Sequence, residues 1–546
     1  MPLLTETMNF SPATSRLPPH GRILDRKPIA LGFCVVLVAA TLLPLCWTTV
    51  APLVDYPNHL ARMWILAHAA EIPDLARNYA VHWRILPDLG MDLVVCAFSL
   101  VMPVEQAGRA FIALTMLSLI GGTVTLHSAL HGRLGIWPIW SVLFVYNAAL
   151  FWGFLSCLFA TGIYLFAFSG WVATRDWRPV PRLMTFSAVA SVLLLLHLFA
   201  FGLYALSVGA YELAKRLDRR VSLNDILAWC VVCLQFAPGA LLWCTSLAHG
   251  GSTLTAYGDW GSKLYALAAP FTFGYQSGGL DLLASCFAIL FLIFAILTRS
   301  LKLVPEMRFP LAAMIMVAAI VPNWLSGSWS ADTRLPVALP FVIIASTRLE
   351  LSRKEIVPLT GAAVLVLGLR VWTVSQSWQD CDRLFGEFRA ASAVIAPGAR
   401  LLVVAAPPEP EQTRQLAGVP ASLVKLQPVT FIHMAALAVI DRAALFPYLF
   451  TSWKTVEVTP RNAPVSQAVG VPVTPEELAK AADPDQAATL ETGPNFLGER
   501  PYWRNWPETF DFVLWIDFDG RPKPDIEQLR LVTRGSFFEI YRVVKP

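Results

Sequence analysis

A short polar motif directly follows the first long apolar run of the chain. Residues 54–62 read VDYPNHLAR, which places the carboxylate of Asp55, the imidazole of His59 and the guanidinium of Arg62 in one segment. Ionisable groups at membrane depth are costly, so such a cluster suggests function. A carboxylate in a partly desolvated pocket could accept a proton from a hydroxyl group. Asp55 is therefore the candidate general base.

Asp55 also fits a purely structural role. An Asp immediately before Tyr56 and Pro57 is a common start signal for a helix, because its side chain can cap the first turn. Capping and catalysis are compatible, so both interpretations stay open at this point.

The elements that must position this motif belong to a membrane protein. Of the 546 residues, 56% are hydrophobic and only 15% are charged, and the mean hydropathy is +0.56. Soluble globular domains carry more charge than this. The net charge of +4, without a long basic tract, argues against a nucleic-acid partner. We predict a polytopic α-helical membrane protein, surrounded by membrane lipids.

Eleven apolar segments are predicted to cross the bilayer. The run 183–214 could be one long helix or a tight pair of helices turning near His197 to Gly202. Basic clusters flank both ends of this run, and only a pair of helices keeps both clusters on one side, so we predict a hairpin. The predicted spans are 28–50, 106–130, 135–151, 155–173, 183–198, 200–214, 224–247, 279–298, 309–325, 334–349 and 356–374.

The distribution of Lys and Arg predicts the orientation of these spans. With this assignment, 18 Lys and Arg residues fall in the N-terminus and in the loops near 133, 178, 217, 303 and 352, whereas 5 fall in the loops near 75, 263 and 334. Positive residues collect on the cytoplasmic side of membrane proteins. This predicts a cytoplasmic N-terminus, residues 1–27, and an extracytoplasmic C-terminus.

Two regions lie outside the bilayer in this arrangement. Residues 52–105 form a large first outer loop, in which the apolar segment 86–102 lies along or dips into the outer face. Helix and strand patterns after the spans, which end at residue 374, predict a small extracytoplasmic α/β domain, residues 375–546, and residues 456–509 are expected to be mostly loop. The expected elements of this domain are helices at 376–395 and 431–445 and strands at 400–405, 510–516 and 537–544.

The motif, the long loop after the first span, Gly108-Arg109 opening the second span and the outer C-terminal domain together resemble the GT-C superfamily of integral-membrane glycosyltransferases. This superfamily includes protein O-mannosyltransferases, the aminoarabinose transferase acting on lipid A, and Rgt-type lipopolysaccharide glycosyltransferases. The resemblance covers roughly residues 28–374 as architecture. It implies that a sugar passes from a polyprenyl-phosphate carrier to a lipid or glycan acceptor, on the outer face of a bacterial inner membrane.

The resemblance also implies roles for particular residues. Asp55 matches the essential acidic residue at the start of the first outer loop, and Arg109 matches the basic residue that often opens the second span. Tyr56 stands where many members have a second acidic residue, and Asn147, a candidate substrate contact, stands where many have an acidic residue in the second outer loop. No cofactor is firmly implied, and a divalent cation remains an open option.

The phosphate of such a donor needs a cation. The alternative for each cation is interfacial snorkelling or a local ion pair, such as Asp332 with Arg334. Three histidines are candidate ligands of substrate or metal, with a structural hydrogen bond or core packing as the alternative. The candidate cations on the outer side are Arg62, Arg84, Arg109, Lys263 and Arg334, and the histidines are His59, His82 and His197.

Two other functions compete with transfer. A transporter or flippase of lipid-linked glycans usually has related halves and broken helices at mid-membrane. This sequence shows no such halves, and its ionisable residues gather near one face. A non-catalytic envelope assembly factor would need neither Asp55 nor the cations. The outer domain is expected to shape the acceptor side and to lack a catalytic centre of its own.

Reporter fusions test the predicted orientation. We expect a fusion after residue 217 to report the cytoplasm and a fusion after residue 400 to report the opposite side, because of the 18-to-5 charge asymmetry. A fusion near residue 303 serves as the control and should match the one at 217. A cytoplasmic signal at residue 400 would overturn both the orientation and the outer position of Asp55.

Overall fold

The computed structural model describes the chain in several stretches. These are residues 27–217, 222–247, 254–273, 279–405, 428–451, 455–467, 470, 472–487, 490, 501–518 and 523–545. The predicted cytoplasmic N-terminus, residues 1–27, lies outside the described residues except for Lys27.

α-Helices dominate the chain up to residue 391, as its long apolar segments predict. Their bounds are α1 Lys27–Leu42, α2 Tyr56–His68, α3 Pro73–Asn78, α4 Gly90–Ser99, α5 Val104–His131, α6 Ala148–Trp152, α7 Leu155–Ala173, α8 Pro179–Leu196, α9 Leu198–Leu217, α10 Leu223–Cys233, α11 Ala237–Leu247, α12 Trp260–Ala268, α13 Gly279–Leu297, α14 Arg308–Ile320, α15 Ala331–Ser346 and α16 Arg353–Ala391.

Within the described residues, six helical segments are long and apolar enough to cross a membrane, by length and composition. The chain is thus a polytopic helical membrane protein, whereas the total of eleven spans stays a prediction. The six segments are Val104–His131, Leu155–Ala173, Pro179–Leu196, Leu223–Thr245, Gly279–Leu297 and Arg353–Val394.

The predicted span 135–151 is not one regular helix. Residues Trp137–Phe144 form a 3₁₀ helix, and α6 begins only after Asn147. Asn147 has an extended backbone, and its Oδ1 accepts the N–H of Leu150 at 3.0 Å, which is the geometry of an N-cap. Hydropathy could not reveal this break, because it reports the solubility of side chains and not the path of the backbone.

Residues 183–214 form two helices, as predicted. His197 separates α8 from α9 with an extended backbone, φ −172° and ψ 129°. Its Nδ1 accepts the N–H of Phe199 at 3.1 Å, which satisfies one of the free donors at the start of α9. The two helices pack against each other as a hairpin.

The long helix α16 runs through the predicted domain boundary at residue 375. The sequence predicts a span at 356–374 and a separate helix at 376–395, but the structure has one helix of 39 residues. A change from apolar to mixed polarity alters the surroundings of a helix without breaking its backbone hydrogen bonds, and no Gly or Pro occurs between 369 and 385. The apolar helical region and the C-terminal domain, which we call the outer domain after its predicted side, therefore share one continuous helix.

Eight short β-strands occur in the described residues. Three of them, β4, β6 and β8, lie at the predicted positions. The sequence did not predict β7, because this strand is mostly exposed and lacks an apolar pattern. The strands are β1 Tyr79–Val81, β2 Leu301–Leu303, β3 Thr347–Leu349, β4 Leu401–Ala405, β5 Val456–Val458, β6 Phe512–Ile516, β7 Leu529–Arg534 and β8 Phe538–Val543.

The outer domain is built on a sheet of strand order β4-β6-β8-β7. β4 and β6 are parallel, and the other two pairs are antiparallel. The predicted helix 431–445 is shorter, because Ala443 takes a left-handed backbone with φ 51° and ends it. The predicted loop 456–509 contains β5 and a capped helix. The domain's helices are α17 Pro428–Phe431, α18 Leu437–Arg442, α19 Pro475–Ala482, α20 Pro484–Ala487 and α21 Trp506–Thr509.

The first outer loop and the outer domain are joined by paired strands and a buried ion pair. β1 pairs with β5 in an antiparallel register. Arg62 NH2 lies 2.9 Å from Asp92 Oδ2, and Thr455 Oγ1 donates to the same oxygen at 2.7 Å. Both charged side chains are only 2% exposed. Loss of either charge would leave the other buried and unpaired, so this pair fixes α2 and α4 against the outer domain.

The loops assigned to the cytoplasm meet at one end of the bundle. β2 pairs with β3, which joins the loops near 303 and 352. Arg182 and Arg216 both contact Glu212, which joins the loops near 178 and 217. α9 packs on the turn Pro305–Met307, so the two groups of loops lie together.

Asp55 lies at the opposite end of the bundle. At the start of α5, Arg109 NH1 donates to the Thr48 carbonyl, in the segment that leads to Asp55, at 2.8 Å. The other end of α5 is His131, which interacts with the backbone of Thr347 in β3. α5 has 28 residues, and a rise of 1.5 Å per residue makes it about 42 Å long. α5 is therefore long enough to reach from one face of a bilayer to the other.

Candidate active site

The backbone of Asp55 is tied to the turn that follows α6. The N–H of Val54 donates to the Phe151 carbonyl at 2.9 Å, and the N–H of Asp55 donates to the Trp152 carbonyl at 3.1 Å. Gly153 has a φ of +85°, and a Cβ at this position would lie 3.1 Å from the Asp55 Cβ. Any other residue at 153 would strain the turn and crowd Asp55, so glycine allows the close approach.

The Asp55 carboxylate does not cap α2. Asp55 occupies the N-cap position and its carbonyl accepts the His59 N–H at 3.0 Å, but its side chain makes no capping hydrogen bond. The side chain is 18% exposed. The capping interpretation therefore does not describe this side chain, and the carboxylate is accessible to a ligand.

His433 from the outer domain faces this carboxylate, with its Nε2 atom 3.4 Å from Asp55 Oδ1. The buried amide of Asn58 holds the other side of the imidazole. Asn58 Nδ2 lies 3.1 Å from His433 Nδ1 and donates to the Tyr448 carbonyl at 3.0 Å. Asn58 Oδ1 accepts the Phe450 N–H at 2.9 Å.

The Asn58 network assigns the tautomer of His433. Because Asn58 Oδ1 accepts from a backbone N–H, its amide nitrogen is the atom that faces the imidazole, and an amide nitrogen can only donate. His433 Nδ1 is therefore the acceptor. The proton of the neutral ring lies on Nε2 and faces Asp55.

The sequence analysis missed His433. It lies in the apolar stretch FIHMAAL, residues 431–437, inside a predicted helix. The ring packs against Phe446, Tyr448 and Phe450, and the side chain is 8% exposed. A polar residue in an apolar segment was the available signal. That signal could not identify Asp55 as the partner, because the two residues are far apart in sequence.

His59 and Arg62 follow Asp55 in α2 but contact the outer domain. The His59 ring packs on Phe450 with 5.2 Å between centroids, and its Nδ1 lies 3.5 Å from Arg62 NH1. Arg62 is buried and paired with Asp92. Its charge is compensated inside the fold, so we do not retain Arg62 as a phosphate ligand.

His82 and Arg84 lie at the surface beside β5. Arg84 NH1 is 2.8 Å from Glu457 Oε1, and His82 Nε2 is 4.0 Å from Glu457 Oε2. Both side chains are exposed, at 53% for His82 and 38% for Arg84. The structure joins them to a carboxylate of the outer domain. Within the described residues, neither forms a hydrogen bond or an ion pair with Asp55.

Arg109 and Asn147 organise backbone segments near Asp55. Arg109 NH1 donates to the carbonyls of Thr48 and Leu45, at 2.8 and 3.4 Å. Asn147 is fully buried, and its Nδ2 donates to the carbonyls of Phe144 and Val145. The amide of Asn147 is used inside the fold, so its predicted contact with substrate is not retained.

Asp332 pairs with Lys263 and not with Arg334. Lys263 Nζ lies 3.5 Å from Asp332 Oδ2 and donates to the Val321 carbonyl. Asn323 Nδ2 donates to Asp332 Oδ1 at 3.1 Å. The expected local pair is wrong in its partner, because residues two apart on a helix do not face each other.

Arg334 has no carboxylate partner among the described residues. Its NH2 donates to Ser328 Oγ at 2.6 Å and to the Trp329 carbonyl at 3.4 Å. The guanidinium lies 5.1 Å from the ring centroid of Phe154. Phe154 follows Gly153, which contacts Asp55, so an uncompensated positive charge adjoins the turn that holds Asp55.

Aromatic side chains connect the same turn to neighbouring elements. Trp152 Nε1 donates to the hydroxyl of Tyr265 on α12 at 2.9 Å. The rings of Trp152 and Trp329 meet edge to face with 4.5 Å between centroids. The segment before α15, α12 and the turn after α6 therefore converge beside Asp55.

Tyr56 does not supply the negative charge that a second acidic residue would carry at this position. Its side chain is fully buried, and a Cβ on Gly108 would lie 2.2 Å from its hydroxyl. Burial raises the pKa of this phenol, so it stays neutral.

Among the described residues, no group of three or more His, Cys, Asp or Glu side chains is arranged to hold a metal ion.

Two solved structures of ArnT from Cupriavidus metallidurans are similar to this chain over nearly its whole length. The structure bound to undecaprenyl phosphate aligns with a TM-score of 0.48 and 12% identity, over 96% of this chain and 98% of that chain. The apo structure aligns with a TM-score of 0.46 and 13% identity, over 94% and 98%. ArnT is an aminoarabinose transferase of the GT-C fold. No protein-family model matches the sequence, and no curated protein matches it.

Proposed function

We propose that this chain is a membrane glycosyltransferase that moves a sugar from a polyprenyl-phosphate carrier to a lipid or polysaccharide acceptor on the outer face. The proposal depends on one observation about Asp55. Its carboxylate does not cap α2, is partly exposed and faces His433. The donor class follows from the sequence resemblance of Val54–His59 and from its position after the first span.

Asp55 acts as the general base on the acceptor. Its Oδ1 faces His433, which leaves Oδ2 to accept the proton of an acceptor hydroxyl. The hydroxyl oxygen forms a bond to the anomeric carbon of the donor sugar, and the bond from that carbon to the phosphate oxygen breaks. The polyprenyl phosphate leaves with the bonding electron pair, and the proton stays on Asp55 until water removes it.

His433 positions the base. Its Nε2–H is directed at Asp55 Oδ1, while Asn58 fixes the ring from the other side. The separation of 3.4 Å is longer than a hydrogen bond, and catalytic contacts commonly shorten once substrate is bound. In this arrangement the outer domain completes the catalytic centre at the start of α2.

Arg334 is the proposed ligand of the donor phosphate. Lys263 is compensated by Asp332. Arg109 fixes the backbone of the segment that leads to Asp55, through the carbonyls of Leu45 and Thr48, so we assign it a structural role. Arg334 contacts only neutral groups among the described residues, so its charge is available to an anion. Such a charge stabilises the phosphate as it departs.

Replacement of the base tests the reaction. In Asp55→Asn, turnover on a polyprenyl-phosphate sugar should fall by about 10²- to 10⁴-fold, because general-base catalysis contributes this much. Donor binding and thermal stability should stay close to the wild type, since the side chain caps no helix. Turnover is measured on purified full-length protein, with Glu71→Gln as the control because Glu71 is an exposed acid of the same loop.

Three outcomes would change the conclusion. Wild-type turnover in Asp55→Asn would reject Asp55 as the base. Failure of every polyprenyl-phosphate sugar to bind would favour the assembly factor. Movement of a lipid-linked sugar across liposomes, without transfer to an acceptor, would favour the flippase.

Replacement of Arg334 should separate binding from proton transfer. Arg334→Gln should weaken donor binding by roughly 10- to 100-fold, because a hydrogen bond to a charged group is lost. Arg84→Gln removes an equal charge from the outer surface and should leave donor binding unchanged, since Arg84 is paired with Glu457. Equal donor affinity in the wild type and Arg334→Gln, measured by equilibrium binding, would contradict this role.

His433 variants test positioning. His433→Leu should lower kcat by about 10- to 100-fold with little change in the KM for donor, because a hydrogen bond to a charged group contributes this much. His433→Gln keeps an N–H donor and should recover part of the loss. His82→Leu is the control at an exposed histidine. A purely structural role predicts equal losses in the Leu and Gln variants and a lower melting temperature in both.

A further inference from the structure

An apolar groove lies at the end of the bundle opposite Asp55. Its volume is about 540 Å³, and α13, α15 and α16 form much of its wall. Sites for small molecules commonly have volumes of about 300–1,000 Å³. α13 is almost entirely exposed, so this helix separates the groove from the surrounding lipid along one side.

The length of the groove matches one leaflet. Along α16, its wall extends from Ile356 to Val366. Ten residues of helix rise about 15 Å. The hydrocarbon core of a bilayer is about 30 Å thick, so the groove accommodates an acyl chain from a single leaflet.

Two arginines lie at one end of this groove. Arg133 and Arg348 are the only Lys, Arg, Asp or Glu residues in its described wall. Trp137 Nε1 donates to Thr347 Oγ1 at 3.2 Å, which brings the segment after Arg133 beside the strand that carries Arg348. Arg133 makes no ion pair among the described residues, and Arg348 is paired with the half-exposed Glu350.

The same end of the groove has the features of a membrane interface. Trp137 and Trp140 both line it, and such residues concentrate at the level of lipid headgroups. A lipid whose tail lies along Ile356 and Val366 would therefore place its headgroup beside the two arginines.

The donor of the proposed reaction does not account for this groove. Its phosphate must reach Asp55, near the start of α5, whereas Arg133 follows the C-terminal end of α5. These ends are separated by the length of α5, about 42 Å. The occupant of the groove has its anionic group at the other membrane face.

We propose that the groove binds an acidic glycerophospholipid of the leaflet opposite Asp55, with its phosphate between Arg133 and Arg348 and one acyl chain along α16. This lipid is distinct from the donor and the acceptor. The site does not depend on the proposed glycosyl transfer.

Native mass spectrometry of the full-length protein tests the site with phosphatidylglycerol and phosphatidylcholine that carry the same acyl chains. Phosphatidylglycerol should be retained preferentially. Arg133→Gln/Arg348→Gln should reduce this preference by roughly 10- to 30-fold, since each cation near the surface contributes to the binding of anionic lipid. Glu350→Gln should increase it, because a competing carboxylate is removed.

Control variants separate the groove from general surface attraction. Arg175→Gln/Arg178→Gln removes two charges from the same face outside the groove and should retain the preference. Ala288→Trp narrows the groove from α13. It should reduce the retention of both phospholipids, because less space remains for an acyl chain. Arg334→Gln should have no effect, so failure of the donor site and failure of this site are distinguishable.

Three results would overturn the proposal. One is equal retention of the two phospholipids by the wild type. The second is an equal loss of the preference for phosphatidylglycerol in Arg133→Gln/Arg348→Gln and in the control Arg175→Gln/Arg178→Gln. The third is displacement of phosphatidylglycerol from the groove by a polyprenyl phosphate at much lower concentration, which would assign the groove to an isoprenoid.

Discussion

The Asn58 amide is the interaction on which the proposed site depends. It is fully buried, so each of its polar atoms needs a partner inside the protein. The backbone around Tyr448 and Phe450 satisfies its oxygen and one of its protons, and His433 accepts another. Because α2 supplies Asn58 and the outer domain supplies its partners, one side chain joins the two parts and orients the imidazole toward Asp55.

Charge compensation separates structural cations from available ones. A buried charge without a partner is strongly destabilising, so most cations packed inside the described fold are paired with carboxylates. These pairs are Arg62 with Asp92, Lys263 with Asp332, Arg370 with Asp281, and Arg389 with Asp441 and Glu105. Arg334 departs from this pattern and lies over the ring of Phe154. Arg109 also lacks a carboxylate partner among the described residues, but its guanidinium holds the backbone that leads to Asp55. Arg334 lies beside the turn that holds Asp55, where an anionic donor would need a cation.

The helix α16 links the two ends of the protein. Its 39 residues extend about 58 Å, which exceeds the thickness of the hydrocarbon core. Near one end it forms the wall of the apolar groove, and farther along Asp382 Oδ1 accepts the N–H groups of Thr49 and Val50 at 2.8 and 3.0 Å. The segment that leads to Asp55 is therefore fixed by the same helix that lines the apolar groove near the opposite end of the bundle.

The sequence by itself determined the features that depend on local patterns. Apolar length located most of the helices, the flanking basic residues predicted the break at His197, and the polar motif after the first span indicated Asp55 as the candidate base. Tertiary structure decided the rest, because contacts between distant residues leave no local pattern. Only the fold shows that Asp55 does not cap α2, that His433 faces it, and that Asp332 compensates Lys263 and leaves Arg334 without a carboxylate. These outcomes depend on which side chains meet after the loops close, and neither hydropathy nor spacing contains that information.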